Sequence, residues 1–207
     1  MLQLKTIDTN TFSLLKDLST AEFLSDFALA GGTSLALQLG HRISIDLDFF
    51  TLKEFSAEML FNQIKQAYKV FDVSINKNAL TFNIEYNQNI IKIDCIRHNY
   101  PLINEIKKID GIKLFSVDDI AAMKLNAIIN RGAKKDFYDI FELLQNYTLS
   151  ELIGFYKIKY PEMNIMMLMK SLNYFGDAEL NPEPLSLRKI NWQEVKMYLV
   201  KKVNDFI

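Results

Sequence analysis

Apolar and polar residues alternate with a period of two in several short segments before residue 100, and this spacing predicts β-strands. In residues 43–50 every second side chain is apolar and is expected to face a core. The opposite face of that strand carries Asp46 and Asp48 side by side. Because like charges at neighbouring same-face positions repel each other, a cation between the two carboxylates is expected.

A polar turn at residues 87–89 joins two further predicted strands into a hairpin. Asp94 lies in the second of these strands among apolar neighbours, where a carboxylate needs an ionic partner or a metal. Glu85, in the first strand, is its nearest rival as a third acidic ligand. The alternative is that Asp94 occupies a surface position or pairs with Lys92 or Arg97.

Elsewhere the apolar spacing changes to three or four residues, which predicts helices. Segments 13–25 and 54–69 each have one apolar face, and residues 70–76 predict another strand. From residue 148 onward the pattern is helical, and Asn191 caps a final helix that ends near residue 204.

A glycine turn lies a dozen residues before the paired carboxylates. Gly31 and Gly32 interrupt a short apolar strand, and a helix then begins at Thr33 and ends at Gly40. Backbone amides at such a helix start, together with the hydroxyls of Thr33 and Ser34, suit a phosphate group. Either motif alone is common as an ordinary turn or a solvated strand, whereas both in this order predict binding of Mg²⁺ and a nucleotide phosphate.

Two cations, Lys124 and Arg131, share one face of a predicted helix that Gly132 terminates. Asp136 and Asp139 lie three residues apart near the start of the next helix. In a functional interpretation Lys124 grips a nucleotide triphosphate, while Asp136 orients one of the cations or acts on the acceptor. The alternative is a helix hairpin with surface salt bridges.

These segments resemble, in order, the motifs of the AbiEii/AbiGii toxin-type nucleotidyltransferases of the DNA polymerase β-like superfamily. The resemblance covers about residues 27–145. That superfamily places a third acid on a later strand, which favours Asp94. The matching positions are Gly32, Thr33, Arg42, Ser44, Asp46, Asp48, Lys124, Ala127, Arg131, Lys135, Asp136 and Asp139.

The resemblance implies an α/β (α+β) fold with two parts. A polymerase β-like nucleotidyltransferase core with a small mixed sheet is expected over residues 1–115, and a helical C-terminal region over 116–207. The metal set it implies is Asp46, Asp48 and Asp94, which would hold two Mg²⁺ ions and act with Lys124 and Asp136 in catalysis. The nucleotide-binding set is Gly31, Gly32, Thr33, Ser34, Arg42, Ser44, Lys124, Arg131 and Asp139.

The implied reaction moves a nucleotide from an NTP to an acceptor hydroxyl, with tRNA as the leading acceptor and a protein hydroxyl as the second. The resemblance also implies the toxin of a toxin–antitoxin or phage-defence pair, with a cognate antitoxin as partner. Two alternatives are an NTP-binding module without catalysis and a structural or antitoxin-like partner protein. Whether Asp136 or Asp139 is the functional acid is open at this point.

Net charge, cysteine content and the lengths of apolar runs add limited information about binding partners and cellular location. A formal net charge of −1 over 207 residues argues against non-specific wrapping of duplex nucleic acid. The single cysteine, Cys95, excludes an intramolecular disulfide and fits a reducing, cytoplasmic setting. Charges at Lys5 and Asp8 interrupt the N-terminus, so no signal peptide is expected, and no run of about 20 apolar residues predicts a membrane span.

Overall fold

The structure, a computed structural model, describes residues 1–206. These residues form two compact units. The first unit consists of Met1–Gly40, Ser44–Tyr100 and Glu105–Phe115, and the second of His41–Ile43, Pro101–Asn104 and the described residues from Ser116 onward. The second unit is therefore built mainly from the C-terminal helices, with two short segments from earlier in the chain.

A mixed sheet forms the first unit, as the sequence predicts. Its strands follow the order β3-β4-β5-β2-β1-β7-β6. The pairs β2–β5 and β1–β7 are parallel, and the other pairs are antiparallel. The strands are β1 (Ala28–Leu29), β2 (Leu47–Thr51), β3 (Val70–Asn76), β4 (Ala79–Tyr86), β5 (Asn89–Arg97), β6 (Lys107–Ile109) and β7 (Ile112–Leu114).

The core of this unit lies between one face of the sheet and two helices, α1 (Thr9–Thr20) and α3 (Ala57–Ala67). Leu47 and Phe49 of β2 belong to this core, so the alternate residues of β2 face the other way. Cys95 is also buried in the core, as predicted, and burial raises the pKa of its thiol.

The strand predicted over residues 43–50 begins later than expected, at Leu47, and Ile45 is 62% exposed instead of facing the core. Hydrogen bonds that only a folded chain can reveal explain the difference. The Ser44 amide donates to the Thr6 carbonyl, and the Thr33 hydroxyl donates to the Asp46 carbonyl. The Ile43 amide donates to the Leu185 carbonyl. The backbone before Leu47 is therefore held by these groups and not by a strand of the sheet.

The first predicted helix is also displaced, because it occupies Thr9–Thr20 and not residues 13–25. Asp8 caps it by accepting hydrogen bonds from two first-turn amides. The apolar pattern beyond residue 20 belongs to a separate 3-10 helix, Glu22–Leu24.

The second unit is helical, as the sequence predicts. Its helices are α4 (Val117–Asn130), α5 (Lys134–Leu143), α6 (Leu149–Lys159), α7 (Ile165–Leu172), α8 (Gly176–Glu179) and α9 (Trp192–Asn204). Helix α4 packs against α5, α6 and α7. The capping box of Asn191 and Glu194 opens α9 as expected. None of the described helices combines the length and the apolar character needed to span a membrane.

Candidate active site

The first unit brings two of the predicted acidic residues together. Asp48 of β2 and Asp94 of β5 are register partners in parallel strands, so their side chains lie side by side on the face opposite the core. Asp46 lies two residues earlier, in the extended segment that leads into β2. The predicted hairpin is confirmed, since Tyr86 pairs with Asn89 across its turn.

Asp94 has two partners within the sheet. The Lys92 ammonium lies 2.6 Å from Asp94 Oδ2, and the Thr81 hydroxyl donates to Asp94 Oδ1 at 2.5 Å. Burial lowers the pKa of Lys92, but Asp94 and then Asp46 and Asp48 outweigh that effect and raise it. All three carboxylates thus stabilise the positive charge of Lys92.

The rival acid, Glu85, is placed elsewhere. It follows Thr81, the register partner of Asp94, by four residues on β4, a separation of about 13 Å along a strand. Glu85 forms an ion pair with Lys69, and Arg97 pairs with Glu54 at 3.0 Å. The structure therefore brings Asp94, and not Glu85, to Asp48.

The glycine turn lies directly against Asp48. Gly31 is the first residue of α2 (Gly31–Leu39) and has a φ of +64°. A Cβ atom at Gly31 would lie 2.0 Å from Asp48 Oδ2, so only a glycine leaves room for this carboxylate at the start of the helix. The turn thus places the N-terminal amides of α2 beside the carboxylate pair.

The hydroxyls of this turn face inward. Thr33 and Ser34 are buried, and Thr33 Oγ1 lies 2.8 Å from Ser44 Oγ in addition to donating to the Asp46 carbonyl. Gln38 donates to the Ser34 hydroxyl at 3.2 Å. The Thr33 hydroxyl thus holds the segment that carries Asp46, and the Ser34 hydroxyl is bonded within its own helix. The backbone amides of the turn are therefore the groups suited to a phosphate.

Within residues 1–206 no group of three or more acidic, histidine or cysteine side chains converges closely enough to hold a metal ion. The paired oxygens of Asp48 and Asp94 nevertheless suit Mg²⁺, which is usually held by one or two carboxylates together with substrate phosphates and water. A three-carboxylate site that includes Asp46 stays a prediction.

The second unit contains a separate cluster of ionic side chains around α4 and α5. Lys124 Nζ lies 2.8 Å from Asp136 Oδ1 and 2.6 Å from Asp139 Oδ2. Arg42 clasps Asp139 with two hydrogen bonds, of 2.7 and 3.0 Å, and Arg131 clasps Asp136 in the same way at 2.8 and 3.0 Å. Three cations and two anions leave this cluster with one net positive charge.

The cluster is buried except at one cation. Both aspartates and Lys124 are shielded from solvent, while the Arg131 side chain is 56% exposed. The alternative of surface salt bridges is therefore wrong for this helix pair. The contact between His41 Nε2 and Asp139 Oδ1, at 2.7 Å, could not be predicted, because nothing in the sequence links residues 98 positions apart.

The opposite charges within the cluster keep its buried members ionised. Burial alone would raise the pKa of Asp139, but Arg42 and Lys124 outweigh burial and hold it well below its ordinary value. Burial also works against ionisation of Asp136, and Lys124 and Arg131 again lower its pKa. The pKa of Lys124, which burial lowers, is raised by Asp139 and Asp136. Both acids and the lysine are therefore charged at neutral pH.

Comparison with known proteins now assigns the chain to a family. The family model described as "Nucleotidyl transferase AbiEii toxin, Type IV TA system" matches residues 13–189, and the chain belongs to this family. A protein of Aquifex aeolicus (strain VF5), aq_aa25, is 35% identical over 189 residues, which are 88% of this chain and 89% of the relative.

Two solved structures are similar in fold. JHP933 from Helicobacter pylori aligns with a TM-score of 0.60 at 19% identity, covering 96% of this chain and 92% of that one. MenT4, a nucleotidyltransferase toxin from Mycobacterium tuberculosis H37Rv, aligns with a TM-score of 0.54 at 13% identity, covering 94% and 84%. Together with the family match they confirm the nucleotidyltransferase fold.

Family membership also defines the general chemistry. This chain is a nucleotidyltransferase with an NTP as substrate, and a toxin–antitoxin family implies an antitoxin as its partner. Such enzymes typically work with a divalent metal ion.

Proposed function

We propose that this protein transfers a nucleotide from an NTP to a hydroxyl group of an RNA acceptor in a Mg²⁺-dependent reaction, and that tRNA is the first acceptor to test. The observation that carries the proposal is the pairing of Asp48 with Asp94 directly beside Gly31 at the start of α2. Carboxylates for a cation and helix amides for a phosphate are the two elements that nucleotidyl transfer requires.

The residues of the first unit divide the work as follows. The amides that follow Gly31 bind an anionic phosphate of the NTP, and Gly32 lets the substrate approach the backbone. Asp48 and Asp94, with Asp46 adjoining, would hold Mg²⁺. When bound, the ion supplies Lewis acidity, which favours loss of the acceptor proton and offsets charge on the leaving pyrophosphate.

Roles for the second unit rest on the family motif together with the charges of the cluster. Arg131, its exposed cation, contacts an anionic group of the substrate. Asp136 is the positioning acid, because it fixes both Lys124 and Arg131. Asp139 is bonded by Arg42, Lys124 and His41, which makes it the structural centre of the cluster.

The biological setting completes the proposal. The protein acts as the toxin of a toxin–antitoxin or phage-defence system in the cytoplasm, where NTPs and Mg²⁺ are available, and a cognate antitoxin limits its effect.

The test is incubation of the purified protein with Mg²⁺, total tRNA and each α-³²P-labelled NTP in turn. Asp94→Asn is the variant, and Glu85→Gln is the matched control because it alters an acid on the same sheet face at a distance from Asp48. Label is expected on tRNA with the wild type and with Glu85→Gln, and Asp94→Asn should lose it. Label on protein alone would contradict RNA as the acceptor.

A cellular experiment tests the toxin role separately. Induced wild-type protein is expected to arrest growth, and the double variant Asp46→Ala/Asp48→Ala is expected to be harmless at equal protein levels. If the double variant still arrests growth, toxicity does not come from nucleotidyl transfer.

A further inference from the structure

A pocket lies on β2 next to the carboxylate pair. Phe50 occupies the same-face position that follows Asp48, and it lines a cavity of about 290 Å³ in the first unit. Ligand pockets begin at roughly 300 Å³, so this one suits a single planar base better than a whole nucleoside triphosphate. Its other main lining side chains are Phe27, Leu52, Lys108, Lys113 and Phe115.

Aromatic rings form one wall of this pocket and continue beyond it. Phe50 meets Phe115 edge-on at 6.2 Å between ring centroids, and its ring centroid lies 5.4 Å from that of His98. His98 in turn lies 4.9 Å from Tyr100, which is 44% exposed. Phe115 itself is buried, whereas Phe50, His98 and Tyr100 are at least partly exposed, and such rings can stack with the bases of a single strand.

Two lysines complete the pocket. Lys108 and Lys113 are register partners in the hairpin of β6 and β7. Lys113 donates one hydrogen bond to the Ser25 carbonyl at 2.5 Å, which leaves two of its three N–H donors for other groups. The acidic neighbour, Asp26, is paired with Lys53 at 2.6 Å, so the lysines retain a positive rim suited to a phosphodiester.

The position of the pocket relative to Asp48 indicates which substrate it serves. Strand β1 runs antiparallel to β2, and the Ala30 amide donates to the Asp48 carbonyl, so the start of α2 lies beside Asp48 and continues towards Asp46. The pocket lies in the opposite direction along β2, at Phe50. The carboxylates are therefore between the helix amides and the aromatic pocket.

Attacking and leaving oxygens are roughly in line in phosphoryl transfer, so the acceptor approaches from the side opposite the leaving pyrophosphate. We propose that the pocket of Phe50, Lys108 and Lys113 receives the terminal nucleobase of a single-stranded RNA acceptor. The inference rests on the proposed function and adds the location and chemistry of the acceptor subsite. Aromatic faces with a basic rim favour RNA over a polypeptide acceptor.

Steady-state labelling with a single-stranded RNA hexamer as acceptor tests this subsite. Phe50→Ala is expected to raise the KM for the RNA by roughly five- to a hundredfold, the range that loss of one base–aromatic stack produces, with little change in the KM for the NTP. Lys108→Gln provides a second variant at a surface position that should fold normally. Lys65→Ala, on α3 behind the core face, is the matched control and should change neither constant.

Photo-crosslinking of the wild type gives an independent measurement. A hexamer with 4-thiouridine as its 3′-terminal base is expected to crosslink within residues 50–52 or 106–115 when the peptides are mapped by mass spectrometry.

The outcomes separate the two proposals. The hexamer could be labelled but crosslink elsewhere, with the KM for RNA in both variants equal to that of the wild type. The proposed subsite would then be wrong, and the proposed nucleotidyltransferase function would be unaffected. If neither the hexamer nor tRNA is labelled with any NTP, the proposed function itself fails. Label on a polypeptide that depends on Phe50 would assign the pocket to a protein acceptor and overturn the RNA assignment.

Discussion

Gly31 illustrates how a single residue shapes the candidate site. Its left-handed backbone, with φ of +64°, and the close approach of Asp48 both exclude a side chain. We expect Gly31→Ala to lower the free energy of unfolding by about 1–2 kcal/mol because an L-residue is strained in this conformation. Displacement of the Asp48 carboxylate by even 1 Å should also reduce kcat/KM for nucleotide transfer by about a hundredfold. Urea unfolding and the labelling assay measure the two effects.

Gly154 provides the control for that substitution. It lies within α6, and a Cβ atom there would meet nothing within 4 Å. Gly154→Ala should therefore raise stability by about 0.5–1 kcal/mol and leave transfer unchanged. A similar loss of stability in both variants would show that the glycine at position 31 has no special role.

The buried ionic cluster should make the free energy of unfolding depend on pH. The pKa of Asp139 is lower in the folded protein than its unfolded value of about 3.9, so the unfolded state binds more protons as the pH falls. The stability that Asp139 contributes is complete above that value and is lost as the pH falls through the lower folded pKa. Asp139→Asn should cost about 3–5 kcal/mol at neutral pH, because it leaves buried cations without their counter-charge.

The measurement is urea unfolding at a series of pH values from neutral to about 3, which brackets the unfolded pKa. The curve for Asp139→Asn should fall less steeply on acidification than that of the wild type. Asp177→Asn, at an exposed position of α8, should follow the wild-type curve. A fall for Asp139→Asn as steep as in the wild type would remove Asp139 as a source of acid sensitivity.

At the scale of elements, the hairpin of β4 and β5 contains a local strain that a substitution can remove. Asn87 and Gln88 form its two-residue turn, and both have positive φ, as in a type I′ turn. Gln88→Gly should stabilise the protein by about 1–2 kcal/mol, since glycine adopts this conformation without the steric cost of a side chain. Thermal unfolding is the test, with Gln88→Ala as the control that should give no such gain.

Elements with a strong local signal were the ones that sequence could predict. The polar turn between β4 and β5 and the cap at Asn191 are encoded by neighbouring residues, so both are confirmed. The late start of β2 depends instead on bonds from Thr6 and Thr33, which are distant in sequence. Alternation alone cannot reveal such partners, and it wrongly placed Ile45 in the core.

The same limit applies to the site. Acidic residues on one strand face could be predicted from a period of two, but the register that pairs Asp48 with Asp94 belongs to a contact between strands more than 40 residues apart. The hydrogen bonds that Arg42 donates to the buried Asp139 likewise join residues far apart in the chain. The local sequence pattern therefore indicated the candidate acidic residues, whereas contacts between distant segments determine which of their side chains lie together.

For the whole molecule, the net charge of −1 implies that RNA binding depends on a few local contacts and not on a general field. With two phosphate contacts, from Lys108 and Lys113, the logarithm of RNA affinity should fall with the logarithm of salt concentration with a slope of about −1.4. Lys108→Gln should reduce this slope by about 0.7. Filter binding of the RNA hexamer over a range of KCl concentrations measures both values, and a slope several times steeper would indicate a much wider basic surface.

The two edge strands of the sheet, β3 and β6, are poorly suited to pairing with a second copy of the protein. At one rim, β3 loses its regular register between Phe71 and Ser74, where Asp72 has a φ of +50°. At the other rim, β6 is three residues long and begins with Lys107 and Lys108. Irregular, short or lysine-bearing rims are poor templates for adding another strand. Newly synthesised copies at high local concentration are therefore not expected to aggregate by pairing their edge strands.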